Sequence, residues 1–144
     1  MNMDEQTYIT ERVDDQINWL EGKSASNQTR YKRIQTLIIV CSVLIPFGTG
    51  FLTDERSWLQ IAIGAAGVFI AVGEGILGLN KYQENWVQYR TTAEQLKREK
   101  IFYLTASGPY TNQEKPFKLF VKHVENILQQ ENVQWQEYIT EEEK

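Results

Sequence analysis

Two windows of the chain are apolar almost from end to end, and the segments around them alternate between apolar and polar positions. The first window, residues 34–52 (IQTLIIVCSVLIPFGTGFL), carries no charge. The second, residues 58–79 (WLQIAIGAAGVFIAVGEGILGL), carries one, Glu74. At 1.5 Å per residue they make helices roughly 28 Å and 33 Å long, close to the thickness of a bilayer's hydrocarbon layer. A core helix of a water-soluble domain rarely stays uncharged over such a length. Only residues 53–57 (TDERS) separate the windows. The pattern therefore predicts an antiparallel two-helix transmembrane hairpin over residues 34–79.

The flanking segments carry a helical period. Ile9, Val13, Ile17 and Leu20 form one apolar face ahead of the hairpin,. Gly22 and the polar SASNQTR run that follows Lys23 predict a bend before the first span,. After the second span, Tyr82, Trp86, Tyr89, Ala93, Leu96, Lys100 and Tyr103 recur at spacings of four and three, interrupted only by the charge of Lys100,. No breaker stands between the window and this stripe, so the second helix is expected to continue into the cytoplasm until Ser107, Gly108 and Pro109 end it. A last helix opens at Pro116 and collects Phe117, Phe120, Val121, Val124, Ile127, Leu128, Trp135 and Tyr138,. Three such faces cannot stay wet, so they are expected to pack as a bundle. The expected fold is an all-α membrane protein in three parts: an N-terminal cytoplasmic helix (1–33), the hairpin (34–79) and C-terminal cytoplasmic helices (80–144).

Charge sets the orientation. Lys23, Arg30, Lys32 and Arg33 precede the first span, Lys81, Arg90, Lys97 and Arg98 follow the second, and only Arg56 lies between them. The positive-inside rule then puts both termini in the cytoplasm. The whole-chain averages, a net charge of −4 and a mean hydropathy of −0.45, would suit a soluble acidic protein because they dilute the two windows. They give no electrostatic reason to expect a nucleic-acid partner. One cysteine, Cys41, and one histidine, His123, make neither a disulfide nor a metal pattern,. No nucleophile–base pair or phosphate loop is present in the sequence, and no signal peptide is visible. No enzyme activity and no cofactor are expected.

Three features inside the windows carry candidate function. Pro46 removes a backbone donor in mid-span and predicts a kink or local unwinding. Gly64, Gly67, Ala71, Gly75 and Gly78 fall on one side of a helix, a small-residue stripe of the kind that brings transmembrane helices together,. Its partner is either the first span or another subunit, and Gly73 faces the other way. Glu74 lies just beyond one edge of the stripe. It either snorkels to the cytoplasmic headgroups, pairs with Lys32 or Arg33, or repeats in a ring around an oligomeric water-filled axis.

The segments ERVDDQINWLEGKSASNQTRYKR, YQENWVQYRTTAEQLKREKIFYLTASGPY and HVENILQQENVQW, set around two spans, resemble a bacterial two-transmembrane family of unknown function that is itself similar to the SLATT effector domains. Trp86, Arg90, Glu94, Leu96 and Glu99 carry most of the resemblance, with Gly108, Pro109, Tyr110, Glu131 and Trp135 downstream. It implies a membrane effector that oligomerises and forms pores, in many members within nucleotide-activated conflict systems. For this chain the resemblance points to an inner-membrane location, a homo-oligomer and a cytoplasmic regulatory protein as a further partner. The expectation is thus an oligomeric, cation-conducting channel or pore gated through its cytoplasmic helices. The alternative is a non-conducting anchor that presents its bundle to a soluble partner. Arg90, Glu94, Glu99 and Glu131 are expected to form an intramolecular network, because charges withdrawn from water need partners.

Overall fold

A computed structural model describes the backbone of residues 4–50 and 57–142 and the side chains of residues 4–50 and 58–131. Among the described residues all regular structure is helical, in the order α1 (Glu5–Thr7), a π-helix (Tyr8–Asp14), α2 (Asp15–Thr49), α3 (Ser57–Asn80), α4 (Tyr82–Leu104), a 3-10 turn (Gly108–Tyr110) and α5 (Pro116–Glu142). They form two compact units, residues 1–24 with 87–144, and residues 25–86. These limits differ from the expected three parts, because the N-terminal and C-terminal helices pack together.

The first unit is a closed helical bundle. Val13, Leu20, Ala93, Leu96, Phe120 and Val124 are fully buried, joined by Ile9, Ile17 and Leu128. The periodic faces read from the sequence are therefore the faces that pack. The π-helix accounts for an oddity in that pattern. Ile9, Val13 and Ile17 recur every four residues, longer than the α period, and the wider turn of i→i+5 bonding keeps them in line,. Tyr103 stacks on Phe120 at 4.4 Å between ring centres, and Tyr8 meets Phe117 edge-on. Lys100 interrupts the apolar stripe of α4 for a reason: its ammonium binds both carboxylate oxygens of Asp14, at 2.6 and 2.8 Å.

The second unit is built differently. Within it, a Cβ placed on Gly48 would meet Ile63, and one placed on Gly73 would meet Ile38 at 3.0 Å and Ile34 at 3.6 Å. These pairings run in opposite directions along α2 and α3. Little else is covered. Leu37, Val43, Phe47, Trp58, Ile61, Val68, Phe69 and Leu79 are all exposed, and only 6% of the most apolar window in each long helix is buried.

Three expectations are corrected. The bend foreseen at Gly22 is absent, since α2 runs without a break from Asp15 to Thr49. Ser24 is buried there, so packing holds the polar run helical against its local propensity, and Thr29 turns its hydroxyl to the Ala25 carbonyl at 2.9 Å,. Of the kink or local unwinding expected at Pro46, the unwinding is absent: Pro46 lies inside that same helix, which continues past it to Thr49, and the Thr49 hydroxyl donates to the Pro46 carbonyl at 2.8 Å. The second helix, in turn, is not continuous. It breaks at Lys81, whose φ of 44° is left-handed. The connecting loop of residues 53–57 lies outside the described residues apart from the backbone of Ser57.

Candidate functional site

Two places gather the residues singled out in the sequence. The first is the surface of α3. Gly73 is the glycine that touches α2. At 100° per residue the stripe of Gly64, Gly67, Ala71, Gly75 and Gly78 lies roughly 120–200° around the helix from it. A Cβ on Gly64, Gly67, Gly75 or Gly78 would meet nothing within 4 Å. Contact with α2 thus uses Gly73 and leaves the stripe open. Glu74, beside the stripe, is exposed. Among the described residues no ion pair joins it to Lys32 or Arg33, which are exposed as well.

The second place is the α4–α5 connection, where the Gly108-Pro109-Tyr110 motif acquires a physical meaning. Gly108 has φ +59°, a conformation that side chains with a Cβ rarely adopt, and Pro109 opens the 3-10 turn,. The turn drops Tyr110 into the bundle, where it is 3% exposed. Its hydroxyl donates to Glu99, and His123 Nδ1 lies 2.6 Å from the same carboxylate oxygen and 3.2 Å from the tyrosine hydroxyl. Burial, and then the hydrogen bond to Glu99, push the Tyr110 phenol upward. One carboxylate thereby ties α4, the turn and α5 together. His123 was the residue missed in this cluster. Its partner lies 24 positions away in sequence, so no local spacing could announce it.

The remaining motif residues divide by partner. Arg90 binds Glu94 at 3.0 Å, and Lys97 bridges Glu94 and Glu21. Glu131 takes no part in this network: it is half-buried, and burial alone raises its carboxyl above the ordinary value. Trp86 is half-buried on α4, and the Trp135 side chain lies outside the described residues. A second clamp, unread in the sequence, joins the π-helix to α5, where Arg12 and Tyr8 both hold Glu125, at 2.9 Å each. Among the described residues no three His, Cys, Asp or Glu side chains come together as a metal site. What these groups make in the structure is hydrogen bonds and ion pairs between helices.

Residues 15–118 match the family described as "Protein of unknown function (DUF4231)", more than two thirds of the chain, and the chain belongs to that family. The match starts with α2 and ends in the first turn of α5, so it includes α3, Glu99 and Tyr110. No curated protein matches the chain, and no solved structure does.

Proposed function

We propose that this is a two-span membrane protein of the bacterial inner membrane that self-assembles into a channel or pore-forming effector. Residues 34–52 and 58–79 cross the bilayer as an antiparallel hairpin, with both termini in the cytoplasm. The observation that carries the membrane reading is the 6% burial of the apolar windows, in a chain whose other helices close a complete core of their own. A soluble protein would bury such helices, whereas lipid leaves them covered only by acyl chains. Assembly is supported by the open stripe on α3, since close approach of small residues is the main route to helix association in lipid. The resemblance to SLATT effectors supports a conducting assembly. Glu74, exposed and without an ion pair among the described residues, is the group that would select cations around a shared axis,.

A second reading rests on its own observation. On α4 the bundle leaves Val87, Ile101 and Leu104 exposed, at 45, 58 and 60%. That is an apolar surface which a non-conducting anchor would present to a cytoplasmic regulatory protein.

The test combines mass in lipid nanodiscs with ion flux through liposomes. A discrete ring of four or more subunits is expected, with a cation preference that Glu74→Gln reduces at least several-fold. A monomer or dimer without flux would discard the pore in favour of the anchor. An unchanged ion preference in a conducting Glu74→Gln protein would remove Glu74 from its role.

A further inference from the structure

The break between α3 and α4 is one residue long and chemically unexpected. Lys81 adopts φ 44°, the left-handed region, where a Cβ crowds the following carbonyl,. Lysine is a good helix former in the right-handed region, and so are Gln83, Glu84 and Gln88 in the KYQENWVQ run,. Backbone hydrogen bonds nevertheless reach the junction from both sides. The Lys81 N–H donates to the Leu77 carbonyl at 3.1 Å, and the Asn85 N–H donates to the Lys81 carbonyl at 3.0 Å. In an unbroken helix the Asn80 carbonyl would accept from the N–H of Glu84. At this break the Asn85 side-chain amide donates to it at 3.1 Å, while the Asn80 amide donates to the Ile76 carbonyl at 2.9 Å. The Asn85 side chain thus replaces a helical bond that the break removes, and the Asn80 side chain back-bonds within the last turn of α3.

A single residue in its disfavoured region, with one side chain capping a carbonyl that the break exposes, has the makings of a two-state element. Rotating Lys81 back to the right-handed region restores the ladder, and Ser57 to Leu104 becomes one uninterrupted helix. We infer that Lys81 is a hinge with two states: the broken helix seen in this structure, and a fused helix that the sequence alone favours. The hinge stands at the C-terminal end of the second apolar helix, within the unit of residues 25–86. Its existence does not depend on whether the protein conducts.

Backbone amide exchange reads the two states directly in the full chain in nanodiscs. In the broken state the amides of Tyr82 and Glu84 lie in a first helical turn without intrahelical acceptors; in the fused state they bond to Gly78 and Asn80. Lys81→Gly removes the left-handed penalty and should raise the broken-to-fused ratio roughly tenfold, speeding exchange at these amides. Lys81→Ile should do the reverse and slow them at least tenfold against wild type, leaving exchange at Leu96 unchanged. Asn85→Ala, which keeps Lys81, should shift exchange in the direction of the isoleucine variant by a smaller factor. It provides the reading if Lys81→Ile fails to fold. Equal exchange at Tyr82 and Glu84 in wild type, Lys81→Gly and Asn85→Ala would overturn the hinge.

Discussion

The two units of this chain solve the same problem in opposite ways. The bundle formed by residues 1–24 and 87–144 turns its apolar positions inward and gives almost every charge near them a partner: Asp14 to Lys100, Glu21 to Lys97, Glu125 to Arg12 and Tyr8, and Glu99 to Tyr110 and His123. The unit of residues 25–86 turns its apolar positions outward and leaves Glu74, Lys32 and Arg33 without ion pairs among the described residues. Both are helical and rich in aliphatics, so helix formation does not separate them. The surroundings each requires do. The bundle buries a core within itself, whereas the apolar pair leaves most of its apolar side chains uncovered within the chain.

The sharpest way to break that contrast is to damage the bundle's core. Phe120 is fully buried and packs on Tyr103, Tyr110 and Tyr8. Phe120→Ala should cost about 3–5 kcal/mol by lost burial and the cavity left behind. Thermal unfolding followed by circular dichroism should show a large fall in the bundle transition. Phe69→Ala, at a position 71% exposed in the chain, should leave that transition in place. An equal loss in both variants would show that the two units unfold as one.

A smaller contrast lies within α3 itself. Gly73 faces Ile38 at a distance that already strains a methyl group, while Gly75 faces open space. Gly73→Val should overpack the contact with α2 and cost about 1–3 kcal/mol within one chain. Gly75→Val should leave the isolated chain unchanged and act only on assembly, as a loss of oligomer mass in nanodiscs. If Gly75→Val keeps the wild-type mass, the open stripe is not the subunit contact.

How much of this was legible in the sequence depends on how local the signal is. The faces of the N-terminal helix, α4 and α5 could be read from spacing, because burial follows helical period. Gly73 could be separated from the stripe for the same reason. Gly108 and Pro109 marked a turn by composition. The unbroken passage of α2 through Gly22 was not legible, because packing of Ile17, Leu20 and Ser24 overrides local propensity,. Nor was the break at Lys81, since lysine there gives no breaker signal. His123 and Glu125 gain their roles from partners 24 and more than 100 positions away, and periodicity says nothing about such pairs. The uninterrupted apolar windows, by contrast, were unmistakable, because exclusion of charge needs no partner to be seen.

The smallest predicted effect probes how the bundle's charges are paired. Arg12 holds the Glu125 carboxyl below its ordinary value of 4.5; burial opposes this, and the Tyr8 hydroxyl adds to the lowering. A carboxyl lowered in the folded state contributes stability above its unfolded value, and that contribution is lost as pH falls through the lower folded value. The clamp between π-helix and α5 should therefore be intact at neutral pH and weaken only below about pH 4.5. Both ends of the ion pair are about half exposed, at 45 and 44%, so water screens it and its loss should cost under about 1 kcal/mol. Glu125→Gln should flatten this part of the acid profile and speed amide exchange in residues 8–14, with α3 unaffected. Among the described residues the apolar pair has no counterpart to this clamp, and its amides should show no change over the same pH range. If exchange in α3 followed Glu125, the division between the two units would not hold.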